Sequence, residues 1–191
     1  MSRSLVHLRE AEPGDAARLA GLWSDVLRRG DADDQHADMT RIIGRAGADP
    51  DQCIVVAEYD GAVAGAVHLR LTTVTPLNLD LSVQVMSPTV LPDYRRHGVG
   101  RALMEAAVTW AEERGAGHVM TAATAGSRDA NRFLARLALG PRATLRMAPT
   151  TAVRAKLAAR RTPAARAPGR QLTQVLAVRR SLRRSEAQTT R

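Results

Sequence analysis

A chain of 191 residues with 45% hydrophobic but only 3% aromatic residues has room for one domain and an appendage, with a core built from Ala, Val and Leu. A single cysteine, Cys53, excludes an internal disulfide framework and a cysteine-based zinc site. The net charge of +9 is unevenly placed, since residues 151–191 hold 11 Lys or Arg against one acid, Glu186, whereas residues 1–150 hold 17 bases and 18 acids; any affinity for polyanions therefore belongs to the tail.

Leu5 to Arg9 alternates apolar and polar residues and reads as a first strand. Pro13-Gly14-Asp15 opens a helix with Leu19, Leu22, Trp23, Val26 and Leu27 on one face, ending near Gly30. A second helix is expected from about Asp34 to Ala46, burying Met39, Ile42 and Ile43. Ile54 to Tyr59 and Val63 to Thr72 read as strands joined by Asp60-Gly61, a pair suited to the positive φ angles of a tight hairpin. Cys53 at the head of Ile54-Val55-Val56-Ala57 is expected to be buried. A further strand covers Leu79 to Val90, and Pro88, which has no N–H to give a ladder, predicts a bulge or an edge there.

The next stretch, Pro92-Asp93-Tyr94-Arg95-Arg96-His97-Gly98-Val99-Gly100-Arg101, sets two glycines behind basic residues at the mouth of a helix running to about Arg114. The first N–H groups of a helix have no backbone partner, and the helix dipole adds about half a positive charge there, so an anion is favoured. Glycines at that turn let backbone close onto a phosphate, and Arg95, Arg96 and Arg101 supply charge-assisted donors. The ligand implied is a pyrophosphate or larger phosphate ester. No G-x-x-x-x-G-K-[ST] string exists, and a dinucleotide fingerprint would need glycine where the chain has Leu103. What remains is [RQ]-x-x-G-x-[GA] between a central strand and a long helix.

Beyond Gly115-Ala116-Gly117, His118 to Ala123 reads as a fifth strand, Ser127 to Leu137 as a fourth helix and Ala143 to Met147 as a sixth strand. The order βααβββαβαβ is that of an α/β domain ending near Pro149. With this order, with Val90-Leu91-Pro92 before the glycine loop, and with Ala130-x-x-Phe133 followed by Leu139-Gly140, the chain resembles the GNAT family of N-acetyltransferases over about residues 3 to 149.

That resemblance implies a mixed, mostly antiparallel central sheet of about six strands, with a seventh open at Gln171 to Val178, flanked by four helices. It implies a GNAT-like domain at 1–149 and a basic C-terminal extension at 150–191. It also implies acetyl-CoA as acyl-donor co-substrate and an amine as acceptor, without a metal. Thr89, Val90 and Leu91 would hold the pantetheine arm and aim a backbone N–H at the thioester carbonyl. The pyrophosphate would lie on Arg95, Arg96, His97, Gly98, Val99, Gly100 and Arg101, with Ser127 and Asn131 as further cofactor contacts. Two positions depart from the family pattern: Leu134 stands where many members carry a proton-donating Tyr, and Ser127 where many carry Asn.

Candidates for a general base are Glu58, His68 and Asp80, with Ser127 a further catalytic candidate and the acidic run Asp31 to Asp38 beside the expected acceptor site. Each has an alternative reading, as a solvated acidic loop, a hydrogen-bonded strand histidine or a helix cap. In the tail, Thr151 to Arg161 has helical composition, a Pro/Ala/Arg linker follows, and Arg179-Arg180-Ser181-Leu182-Arg183-Arg184 could contact the phosphates of RNA, DNA or a ribosome. An alternative to the enzyme is accordingly a weakly catalytic acyl-CoA-binding domain docked by its tail onto nucleic acid. The absence of a 7–15-residue apolar segment at the N-terminus, and of any membrane-spanning run, gives cytoplasmic as the expected location.

Overall fold

The computed structural model describes residues 6–123 and 126–159, and the chain divides into two units, residues 1–140 and 141–191. In the first unit five strands form one sheet in chain order: β1 Val6–Glu10, β2 Gln52–Tyr59, β3 Ala62–Thr75, β4 Asn78–Val90 and β5 His118–Thr121. Pairing is antiparallel from β1 to β4 and parallel between β4 and β5. Four helices accompany the sheet: α1 Ala16–Leu22, α2 Ala32–Ala48, α3 Val99–Glu113 and α4 Arg128–Arg136.

Alternation along the strands sorts the core into two layers. Val55, Ala57, Val67, Leu69, Val83 and Val85 face α3, which answers with Val99, Leu103, Met104, Ala107 and Trp110 at helical spacing. Ile54, Val56 and Ala66 point the other way, onto Leu19 and Trp23 of the α1 segment and Met39 and Ile43 of α2. The α2 start is capped by the Asp31 carboxylate, which accepts from the Asp34 N–H. The β2–β3 turn has Asp60 at φ +51° and Gly61 at φ +79°, as the Asp-Gly pair predicts.

Two expectations are corrected. The first helix ends at Leu22, not near Gly30, and Val26 is exposed; Gly21, Ser24 and Asp25 are weak helix formers, and the indole of Trp23 is held elsewhere. No strand forms at Ala143–Met147, where Leu145 and Met147 stand exposed, so the described sheet has five strands. Alternation makes a strand only where a neighbour completes the ladder, and Pro141 and Pro149, which have no N–H to give, bracket this segment. A fifth helix, α5 Thr150–Ala159, joins the four of the domain where the composition of Thr151 to Arg161 is helical; it buries no residue. The segment Gln171 to Val178 and the arginine cluster at 179–184 lie outside the described residues.

Candidate active site

Near its C-terminal end β4 is distorted and then leaves its neighbour on one side. Opposite β3 the register runs Gly65↔Val90 and Ala66↔Thr89, then shifts so that His68 faces Met86; Ser87 and Pro88 together form the bulge that Pro88 predicts. Ser87 has φ +46°, and its carbonyl accepts both the Trp23 indole N–H at 2.8 Å and the Thr89 hydroxyl at 2.9 Å. On the far side β5 pairs only with Ser82 to Val85 and ends at Thr121, whose hydroxyl donates to the Val85 carbonyl at 2.8 Å. Among the described residues, β4 from Met86 onward therefore has a strand on its β3 side alone.

This opening selects one amide. The Leu91 N–H donates to the Ala64 carbonyl at 2.9 Å, and successive residues of an antiparallel ladder turn their polar groups to opposite sides. The Val90 N–H consequently faces away from β3, into the space that β5 has vacated. Gly65 makes the close approach here possible: a Cβ on it would stand 2.5 Å from the Thr89 carbonyl oxygen.

Beyond Val90 a single 3-10 turn at Pro92–Tyr94 leads into the glycine loop. Arg96 has φ +67° and Gly98 φ +85°, two left-handed residues that swing the chain into α3. Ala102 is the first N–H to find a carbonyl, that of Gly98 at 2.9 Å; those of Val99, Gly100 and Arg101 precede the first α-helical bond. Nothing lies within 4 Å of a Cβ placed on Gly98, and one on Gly100 would meet only Val90 at 3.6 Å and Phe133 at 3.8 Å. Packing inside the fold does not demand glycine at position 100, so the small residue suits a ligand coming from outside.

The loop is braced from the sheet. Tyr59 at the end of β2 packs on Tyr94, centroids 5.9 Å apart, and edge-on against His97 at 5.0 Å, while His97 Nδ1 lies 2.9 Å from the Arg95 carbonyl. Arg95 and Arg96 are exposed around the helix start. Arg101 instead runs along the helix to Glu105 at 2.8 Å, which raises its pKa. An open, positively framed helix N-terminus next to a splayed strand with an inward amide fits a pyrophosphate ester carrying an extended arm.

The proposed acid–base residues are dispersed. Glu58 accepts from Arg9 at 2.7 Å, and the same guanidinium grips the buried Asp15 carboxylate through two bonds of 2.7 and 2.8 Å; these bonds drive the Arg9 pKa up and the Asp15 pKa down. His68 faces Met86 across the ladder and meets the Gln52 carbonyl oxygen at 3.0 Å, while the Gln52 amide donates to Asp49 at 2.6 Å. Burial, with Arg70 nearby, pulls the His68 pKa below its ordinary value. Asp80 is exposed near the start of β4, ten residues from Val90, or roughly 30 Å along a strand. Ser127 occupies the cap position of α4 with no side-chain cap bond, and its carbonyl accepts from Asn131 Nδ2 at 2.7 Å. In the acidic run, Asp34 and Asp38 pair with Arg28. Leu134 is buried. The Cys53 thiol is pushed up to about 11, chiefly by burial. Among the described residues no group of three or more His, Cys, Asp or Glu is placed to hold a metal, and no helix is long and apolar enough to cross a membrane.

Sequence reasoning missed the Trp23 contact to Ser87 and the Tyr59 brace. Trp23 lies 64 positions before Ser87 and Tyr59 lies 35 before Tyr94, and no local spacing announces either contact.

The model of the acetyltransferase (GNAT) family matches residues 19–139, and the chain belongs to that family, whose chemistry is acetyl transfer. In structure it is similar to a transcriptional regulator from Bacillus halodurans C-125, with TM-score 0.66, 22% identity and coverage of 75% of this chain and 99% of that one. It is also similar to glucosamine-6-phosphate N-acetyltransferase from Arabidopsis thaliana, with TM-score 0.62, 13% identity and coverage of 76% and 98%. The aminoglycoside N-acetyltransferase AAC(6')-Iy, solved with CoA, has TM-score 0.62, 16% identity and coverage of 76% and 94%. Among curated proteins no sequence match is significant.

Proposed function

We propose that this chain is an acetyl-CoA-dependent N-acetyltransferase working by direct attack of an amine. The observation that carries the reading is the Val90 N–H, turned into the gap left by β5 and within one short turn of the glycine loop. Acetyl-CoA supplies the thioester: the amine nitrogen bonds to the acetyl carbonyl carbon, the carbon–sulfur bond breaks and the sulfur leaves as thiolate. The N–H groups of Val99, Gly100 and Arg101, with Arg95 and Arg96, hold the pyrophosphate. His97, Ser127 and Asn131 are proposed as further contacts, and Thr89 to Leu91 as the seat of the pantetheine arm. The Val90 N–H stabilises the charge that develops on the carbonyl oxygen; loss of one such donor costs about 100- to 1000-fold in rate.

Glu58 is committed to Arg9, His68 to Gln52, and Asp80 lies up the strand, so the proton of the amine is assigned to solvent. Leu134, buried where many family members carry Tyr, has no proton to give, and the thiolate takes one from solvent as well. Leu134 also favours a second reading, a weakly catalytic acyl-CoA-binding domain whose basic tail, proposed as an arm for RNA or DNA, provides the docking. Thiol release measured over a broad panel of small amines and peptide N-termini separates the two. Turnover with any acceptor supports the enzyme, and tight CoA binding without turnover on the whole panel supports the second reading.

A further inference from the structure

The Trp23 indole N–H reaches from the end of the α1 segment to the distorted part of β4, donating to the Ser87 carbonyl at 2.8 Å. Trp23 follows α1 directly, is 5% exposed, and sits in the core layer formed with Met39, Ile43 and Val56. Its target is the carbonyl of a residue with φ +46°, a conformation that L side chains avoid unless surrounding contacts impose it. The Thr89 hydroxyl bonds to the same oxygen. The Ser87 carbonyl is thereby satisfied twice, once from within β4 and once from the residue that follows α1.

We infer that Trp23 is a positioning residue: its N–H to the Ser87 carbonyl holds the β4 bulge in the one geometry that turns the Val90 amide into the open side of the strand. The inference rests on the acetyl-transfer reading of that amide. Without the indole donor, Ser87 keeps only the Thr89 bond, and the left-handed residue can relax toward an ordinary strand conformation. Every residue from Ser87 to Val90 then rotates, because bulge and amide are three residues apart on one continuous strand. The pyrophosphate loop would be spared, since Tyr59 braces it from β2.

The test compares the amide spectrum of the full chain with CoA and with acetyl-CoA, in the native protein and in Trp23→Phe, which keeps a ring in the core and removes the donor. In the native protein the Val90 amide is expected to differ between the two ligands, because only acetyl-CoA brings the thioester carbonyl; absence of that difference overturns the acetyl-transfer reading itself. In Trp23→Phe the difference at Val90 should collapse while the Gly98 and Gly100 amides still shift on adding CoA, and turnover of any acceptor found should fall about 10- to 100-fold in kcat. An unchanged acetyl-dependent shift in Trp23→Phe overturns the inference alone. If the variant does not fold, the native protein still decides: the Trp23 indole N–H resonance should move on adding acetyl-CoA more than on adding CoA, and an indole that ignores the acetyl group contradicts the coupling.

Discussion

A Cβ at Gly65 would lie 2.5 Å from a backbone oxygen, whereas at Gly100 the nearest atoms are side-chain carbons at 3.6 and 3.8 Å. The same residue type thus serves two purposes. Gly65→Ala must push β3 and β4 apart beside Val90, and is expected to destabilise the protein by about 1–3 kcal/mol, read as a lower midpoint in urea. Gly100→Ala should melt within about 2 °C of the parent yet bind CoA more weakly; a large loss of stability there would mean that packing, not a ligand, requires the glycine. Gly98 and Gly100 were legible in the sequence because a spaced glycine pair before an apolar helix has few other uses. Gly65 was not, because its cause is a strand 24 residues downstream.

Helix α4 ends in a left-handed turn without a glycine. Ala138 has φ +62°, its N–H bonds to the Ala135 carbonyl at 3.1 Å, and the Leu139 N–H reaches back to Leu134 at 3.0 Å, the bond pattern of a Schellman cap. The cap orients Phe133 against Gly100 and buries Leu134. Ala138→Gly removes the strain of a Cβ in that region and should raise stability by about 0.5–1 kcal/mol, measured as a shift in denaturant midpoint; no gain would argue against the left-handed turn. Elements with a local signal were read from sequence: the Asp60-Gly61 hairpin, the Pro88 bulge, and α3 through Val99, Leu103, Ala106 and Trp110. Ala107 is added by the structure, and elements set by distant contacts were not read. The end of α1 depends on where Trp23 is anchored, and the alternation of Ala143–Met147 carries no information about whether a neighbouring strand exists.

At the scale of the whole molecule, the half-buried His68 and the buried Asp15 couple folding to acidity in the same direction. His68 has a folded pKa below its unfolded one, so the unfolded chain takes up its proton first; the stability it supports is complete above about pH 6.5 and is lost as pH falls. Asp15, depressed chiefly by its bond to Arg9, contributes stability above its unfolded value that disappears as pH drops through the lower folded one. The melting temperature should therefore decline in two stages, the first flattened by His68→Gln and the second by Asp15→Asn. A profile that rises toward acid would contradict both. The basic tail adds a separate expectation: if the arm binds nucleic acid, affinity for a duplex probe falls steeply with salt, and salt-insensitive or absent binding removes that partner.

The most direct measurement is calorimetric titration of acetyl-CoA into the full chain and into Gly98→Asp and Gly100→Asp. Binding near micromolar by the native protein and loss of it in both variants, each still folded, is the predicted result. No heat with the native protein, or equal affinity in all three, would contradict the assignment of the glycine loop and of the amide chemistry built upon it.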